Sequence, residues 1–243
     1  MGETFGSVDF GLDSFGANDI AVDYNTGTSG DSAVRIMLHS DSLENHRDHY
    51  DGTRLGFNPT IKIKMNESTT LDLSYEHADH ERYIDRGIPT ENGEPVERFE
   101  KITFGGNDNL TTLKANILRA TLSKVFSDTR KGNLSIVSSD FEKMYKNYYA
   151  SGYTTGATVV TMDGYLDPTE RENTIISGNI VNEVGNHTLL VGVEFIDTTN
   201  ENHRYDTFWS TTSDDNEVFN ITRPMNFSVN SAGVATSNDY TAD

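Results

Sequence analysis

Apolar and polar residues alternate along much of this chain. From 55 to 65 the odd positions are Leu55, Phe57, Pro59, Ile61, Ile63 and Met65, and the even positions between them are Gly56, Asn58, Thr60, Lys62 and Lys64. Successive side chains on a strand point to opposite faces, so this spacing predicts a strand with one apolar and one polar face. The same pattern recurs at Leu71, Leu73 and Tyr75, and at Leu189, Val191, Val193 and Phe195, where Leu190 breaks it. Weaker versions run through Val8, Phe10 and Leu12, through Ile20, Val22 and Tyr24, and through Val34, Ile36 and Leu38. Together they predict nine strands, at about 4–13, 19–27, 32–44, 53–65, 69–84, 109–126, 133–150, 171–183 and 187–199. Two of these are ambiguous. Leu110, Leu113, Ile117 and Leu118 also fit a helical face, as do Phe141, Met144, Tyr145 and Tyr148; neighbouring strands and hairpin-type turns favour strand for both.

The connections add a second pattern. Every other one is tight: Thr28–Asp31, Asn66–Ser68, Ser127–Gly132 and Val184–Asn186. The alternate ones run from Ser14–Asn18 and Asn45–Gly52 to the longer Asp85–Asp108 and Ser151–Glu170, and a polar tail follows from 200 to 243. In an up-and-down antiparallel sheet, alternate connections lie at opposite ends. All short turns then share one end and all long loops the other, as in outer-membrane barrels. The expected fold is therefore all-β: an up-and-down antiparallel barrel segment, with residues 1–243 forming one partial barrel domain. Strands longer than the usual 5–6 residues agree with this. So do Tyr50, Tyr75, Tyr83, Phe126, Tyr153 and Phe195 near the ends of the apolar runs, where interfacial aromatics sit.

Composition narrows the chemistry. Lys and Arg total 19 against 38 Asp and Glu, a net charge of −19 that repels phosphate backbones and argues against a nucleic-acid partner. With no cysteine, thiolate metal sites, disulfides and a cysteine nucleophile are excluded. No apolar run approaches the roughly 18 residues of a membrane helix, and Met1 leads into no signal-peptide pattern. The lack of a helical span does not bear on a barrel, whose strands have a much weaker signature.

Several segments resemble the early barrel of TonB-dependent siderophore receptors. These are Ser32-Ala-Val-Arg-Ile, Arg47-Asp-His-Tyr-Asp-Gly-Thr-Arg-Leu-Gly-Phe-Asn-Pro-Thr60, Thr70-Leu-Asp-Leu-Ser-Tyr-Glu-His-Ala-Asp, Asp85-Arg-Gly-Ile-Pro-Thr and Gly93-Glu-Pro. His187-Thr-Leu-Leu-Val-Gly-Val-Glu is similar to a later strand of that barrel, and the resemblance covers about 1–210. It implies an importer of ferric siderophores in a Gram-negative outer membrane, with outer-membrane lipid and the TonB system as partners, no cofactor and no enzymatic role. Such barrels have roughly 22 strands around a plug. This chain shows nine strands and neither a TonB box nor a plug, so it reads as a segment of such a receptor. By parity, strands one and nine run the same way and cannot close antiparallel, which predicts an open sheet or an eight-strand closure.

Candidate ligand contacts lie in the long-loop half: Tyr83, Arg86, Tyr148, Tyr149, Tyr153, Arg204 and Trp209. Aromatic faces give apolar contact, and guanidinium forks bind carboxylate or catecholate oxygens. Other constellations carry less. His77 and His80 sit at i and i+3 of a strand, on opposite faces, and His46 and His49 read as solvated loop residues. Asp214-Asp-Asn-Glu217 lacks the spacing of a calcium loop and reads as a solvated charge run. No nucleophile elbow, P-loop or dinucleotide fingerprint occurs. The rival to the transporter is a soluble small-ligand-binding β-barrel, in which the apolar set points inward. A repeat-built adhesin would show repeats, and none is present.

Overall fold

The computed structural model describes residues 3–28, 30–105, 109–207, 209, 216–221, 223 and 225. Thirteen strands lie within them: β1 (Phe5–Leu12), β2 (Asn18–Asn25), β3 (Ser32–Glu44), β4 (Asp51–Asn66), β5 (Thr69–Tyr83), β6 (Thr90–Glu91), β7 (Glu94–Pro95), β8 (Leu110–Ser127), β9 (Arg130–Gly152), β10 (Val159–Val184), β11 (His187–Asn202), β12 (Tyr205–Asp206) and β13 (Glu217–Asn220). The long ones form one antiparallel sheet in the order β1-β2-β3-β4-β5-β8-β9-β10-β11, and β12 and β13 both add to β10. Among the described residues β1 and β11 do not pair with each other, so the sheet is open. The ambiguous stretches around Leu113 and Met144 are strand, held in register by pairs such as Leu113↔Lys143 and Thr112↔Met144.

Tight connections are built by local chemistry. Asn66 Oδ1 accepts from Ser68 N (3.0 Å) and Ser68 Oγ (3.0 Å), closing the β4–β5 hairpin as an Asx turn. Gly185, at φ 60°, opens the β10–β11 turn with a positive φ that a side chain would resist. Two prolines sit inside long strands of the main sheet without breaking it. Pro59 falls where β4–β5 pairing lapses between Phe57↔His77 and Thr60↔Ser74. Pro168 falls between the end of the β11 pairing at Thr169 and the start of the β12 pairing at Leu166. At Pro59 the β4–β5 register resumes unchanged beyond the lapse, so the proline costs a local ladder bond and not the pairing, and at Pro168 the carbonyl still accepts from His203 N (3.1 Å).

Register keeps the two faces distinct from edge to edge. One cross-strand row reads Leu73, Ala120, Ile136, Ile176, Phe195; the adjacent row reads Asp72, Thr121, Ser135, Ser177, Glu194. The apolar face is open to its surroundings, with Val8 at 69%, Leu12 at 71% and Val193 at 76% exposure. On β4 it runs from Leu55 to Met65; at about 3.4 Å per residue and a tilt near 45°, that is about 24 Å, the height of an outer-membrane apolar band. The polar face carries cross-strand ion pairs: Arg35–Asp23 (2.6 Å), Arg54–Asp41 (2.8 Å), Lys62–Asp72 (3.1 Å) and Arg119–Glu76 (3.3 Å). Partly solvated pairs of this kind are individually weak, at about 0–1 kcal/mol. Their effect is to disfavour a slipped register, which would set those charges among the apolar side chains.

Two expectations are corrected. The long loop predicted over Ser151–Glu170 is mostly strand: β10 starts at Val159, and only 153–158 connects it to β9. Pro168 and Gly164 disguised this stretch. At 26 residues β10 rises about 85 Å, so the β9–β10 hairpin projects well beyond the apolar band. The tail from 200 onward is not wholly polar and unpaired either, since β11 continues to Asn202 and β12 and β13 extend the sheet. Glu217, read as part of a solvated charge run, is buried, with Oε1 accepting from Val218 N (2.7 Å). Asp214, Asp215 and most of the tail beyond Ile221 lie outside the described residues.

The densest packing lies not between the strands but at the long-loop end. The connection 84–109, with the β6–β7 hairpin and a 3-10 turn at Glu97–Phe99, packs against the projecting β9–β10 hairpin. Val96, Phe99, Ile102 and Phe104 meet Tyr148, Val160, Met162, Trp209 and Phe219. Phe99 stands edge-on to Phe104 (5.7 Å) and to Tyr153 (5.6 Å), and Trp209 to Phe219 (5.1 Å). Two polar clamps hold it. Asn109 donates from Nδ2 to Ile84 O (2.6 Å) and Tyr148 O (3.2 Å), and accepts Tyr148 N at Oδ1 (2.6 Å). Arg47, from the β3–β4 loop, pairs with Asp85 and donates to Glu100 O (2.9 Å) and Ile102 O (2.6 Å).

Replacing Asn109 with Ala removes three buried hydrogen bonds, at about 0.5–1.5 kcal/mol each. Tryptic cleavage at Arg98 and Lys101 should accelerate while the β1–β4 ladder stays protected in hydrogen exchange. Unchanged cleavage would show that the clamp does not hold the loop. Tyr83 gives a pH signature. Burial, the first cause, pushes its phenol up to about 12, with Asp85 acting in the same direction. The folded state therefore keeps a proton that the unfolded chain releases near pH 10. Stability from this group is full below that pH and is lost as pH rises toward 12. Tyrosinate absorbance of the folded chain should show a phenol titrating near pH 12 that disappears in Tyr83→Phe.

Candidate functional site

Three aromatic residues on β9 and β10 share the polar face above the apolar band. Tyr149 pairs with Asp163, Asn147 with Tyr165 and Tyr145 with Asp167, which places Tyr145, Tyr149 and Tyr165 on one side. Ring centroids are 5.9 Å apart for Tyr145 and Tyr165, and 6.5 Å for Tyr149 and Tyr165. Two guanidinium groups arrive from connecting segments. Arg86, just after β5, lies over the Tyr149 ring at 4.1 Å. Arg204, between β11 and β12, lies over Tyr165 at 4.0 Å and donates from Nε to Asp206 Oδ1 (3.1 Å). Arg82 shares the Tyr145 row through Thr111.

The electrostatics fit a polar recognition surface. Burial raises the Tyr145 phenol above its ordinary value, with Arg86 and Arg82 pulling partly against it. Burial raises Tyr149 too, and its hydroxyl donates to Asp163 Oδ2 (2.7 Å). Both phenols are therefore neutral hydrogen-bond donors at physiological pH. The hydrogen bond to Asp206 raises Arg204, which stays cationic. Each stacked guanidinium has five N–H groups in a planar fork, more than its observed partners use. Flat rings, neutral phenols and two cations together suit an anionic, partly aromatic ligand.

The seven residues singled out from sequence separate into two sets. Arg86, Tyr149 and Arg204 come together in this cluster. Tyr148 and Trp209, both 0% exposed, belong to the loop core, and Tyr83, 2% exposed, is buried against His49, so no ligand can reach their faces. Tyr153 edges that core, its hydroxyl 3.2 Å from Glu91 Oε1 and in contact with Arg98. Sequence reasoning missed Tyr145, Tyr165 and Asp163. Tyr145 and Tyr149 stand four apart on one strand face, a signal that was available. Tyr165 lay in a stretch read as loop, so it had no register. His77 stacks on Tyr75 and its Nδ1 is 2.8 Å from Asn116 Oδ1, while His49, at φ 61°, stacks against Tyr83.

No protein-family model and no curated protein matches the chain. Solved structures do. The ferric-catecholate import receptor Fiu from E. coli K12, in its open form, superposes with a TM-score of 0.74 at 16% identity, over 82% of this chain and 35% of that one. The pyoverdine outer membrane receptor FpvA from Pseudomonas aeruginosa PAO1, bound to pyoverdine, gives 0.75 at 14% identity, over 99% and 35%. The siderophore receptor PiuA from Acinetobacter baumannii gives 0.74 at 15%, over 93% and 36%. The chain thus spans about a third of the length of each. An open antiparallel sheet with one apolar and one polar face, matching nearly end to end, has the fold of a segment of the β-barrel of siderophore receptors.

Proposed function

We propose that this chain is part of the barrel wall of a TonB-dependent outer-membrane receptor for ferric siderophores in a Gram-negative cell. Its apolar face meets lipid and its polar face lines the lumen. The observation that carries this reading is the superposition of an open, two-faced sheet on several such receptors, at TM-scores of 0.71–0.75. Arg86, Tyr149 and Arg204, with Tyr145 and Tyr165, form the ligand-facing patch above the membrane. Ferric siderophores are amphipathic and often anionic, which is the chemistry this patch suits. Coupling to the TonB system belongs to the full receptor. The soluble-barrel alternative needs the apolar set inside a closed wall. The polar face, with its ladder of cross-strand ion pairs, makes the better lumen lining.

Two measurements separate the parts of this proposal. In refolding titrations in lipid vesicles, Phe57→Arg or Ile61→Arg should cost about 2–4 kcal/mol near the midplane. Lys62→Glu, on the opposite face, should cost under about 1 kcal/mol. Equal, mild effects would show the assignment of faces to be wrong. For the ligand patch, fluorescence quenching of the full chain by a ferric tris-catecholate and a ferric tris-hydroxamate reports binding. Arg86→Ala with Arg204→Ala should weaken it about tenfold or more, since charge-assisted bonds are worth about 1.5–3 kcal/mol each. Unaltered binding would remove the patch from the site while leaving the membrane assignment intact.

A further inference from the structure

The apolar face is not uniformly filled. Where β8, β9, β10 and β11 run side by side near their short-turn end, two glycines point outward among large side chains. One cross-strand row reads Leu122, Leu134, Gly178, Val193, and the next reads Lys124, Gly132, Ile180, Val191. The missing side chains leave a groove of about 450 Å³ between Phe126 and Leu134 on one side and Ile180 and Val193 on the other. Gly132 is required by the backbone, since a Cβ there would lie 2.6 Å from Asn179 O. Gly178 is not: a Cβ would meet nothing nearer than Asn133 O at 3.4 Å and Leu134 Cδ1 at 3.7 Å. The sheet itself therefore has room for a side chain at 178.

Charge changes sign at the same place. In a chain of net charge −19, residues 124–131 hold Lys124, Arg130 and Lys131 against Asp128 alone. By register Lys124 and Arg130 lie on the outward face, Lys124 beside Gly132 and Arg130 beside Asn182. Among the described residues none of the three cations forms an ion pair. Lys124 Nζ lies 5.7 Å from the Phe126 ring, at the mouth of the groove. An apolar slot opening onto unpaired cations, at the margin of an apolar band, matches a molecule with a hydrocarbon chain and an anionic head.

We propose that this groove binds one anionic phospholipid of the leaflet at the short-turn end, with an acyl chain over Gly132 and Gly178 and its phosphate on Lys124 and Arg130. The proposal rests on the apolar face meeting lipid. It adds a defined lipid site to a face otherwise covered by bulk solvent lipid. Juxtamembrane cations attract anionic headgroups additively, and the slot adds shape selection that a flat band lacks.

The test uses the full chain in nanodiscs of phosphatidylethanolamine and phosphatidylglycerol, with native mass spectrometry counting retained lipid after release into detergent. The unaltered chain should keep one phosphatidylglycerol in preference to phosphatidylethanolamine. Gly178→Phe, which fills the slot, and Lys124→Gln with Arg130→Gln, which alters only exposed side chains, should each cut retention about tenfold. Ile61→Phe, elsewhere on the band, should leave it unchanged. Equal retention by all variants, or no preference between the two headgroups, overturns the site. Because the chain has no cysteine, Phe57→Cys carrying a fluorophore reports the face independently through quenching by spin-labelled lipid. Quenching without selective retention sinks the groove alone, whereas no quenching sinks the membrane reading beneath it.

Discussion

Everything in this molecule depends on a continuous antiparallel register. From β1 to β11 each strand passes its facing on to the next through the pairing of residues. The few irregularities, at Lys64/Asn66, Val125/Ser127 and Thr161/Met162, fall near strand ends. A slip of one residue anywhere between them would turn a row such as Leu73, Ala120, Ile136, Ile176, Phe195 to the polar side. It would also set Arg35, Arg54, Lys62 and Arg119 among apolar neighbours. The penalty for such a slip, more than the strength of any single contact, fixes the sheet. In a barrel wall this matters doubly, because neither face is a packed core and unsatisfied backbone groups facing hydrocarbon are costly.

The buried core is displaced accordingly. It forms where strands outrun the apolar band and a connection folds back on them. Residues 84–109 bury Val96, Phe99, Ile102 and Phe104 against the β9–β10 hairpin, and Asn109 and Arg47 satisfy backbone groups that such a loop would otherwise strand. Gly164 shows how close the approach is, since a Cβ there would stand 2.2 Å from the Tyr148 ring. That packing consumes Tyr148 and Trp209. It also sets the backbone from which Arg86 emerges onto the opposite face, over Tyr149. The loop core thus acts as the mount for the candidate site.

The site was partly legible. Arg86, Tyr149 and Arg204 were marked by residue type and by their place in the long-loop half, and the structure brings them to one cluster. Their companions were hidden for a physical reason. Tyr165 sits beside Gly164 and Pro168, residues that in most strands mark an end. Here Gly164 makes room for Tyr148, and Pro168 falls between the β11 and β12 pairings, its carbonyl accepting from His203 N. Buried and exposed tyrosines look alike in a sequence, so Tyr148 and Tyr149, adjacent in the chain and opposite in fate, could not be told apart.

What the sequence determined by itself was everything that a period of two and turn chemistry can encode. That includes the long strands, their apolar and polar faces, the end that holds the tight turns, and the absence of cysteine chemistry. These are local properties: alternation is written residue by residue, and Asn66-Glu-Ser or Gly185-Asn announces its own turn. What only the tertiary structure decided depends on residues far apart in the chain. Strand length beyond the band, the burial of Trp209, the Asn109 and Arg47 clamps, and the stacking of Arg86 and Arg204 on tyrosines from other segments belong to this class. Each arises where distant segments meet, the end of β5 with β9 for Arg86 and the β11–β12 connection with β10 for Arg204, and no periodicity in either segment records that meeting.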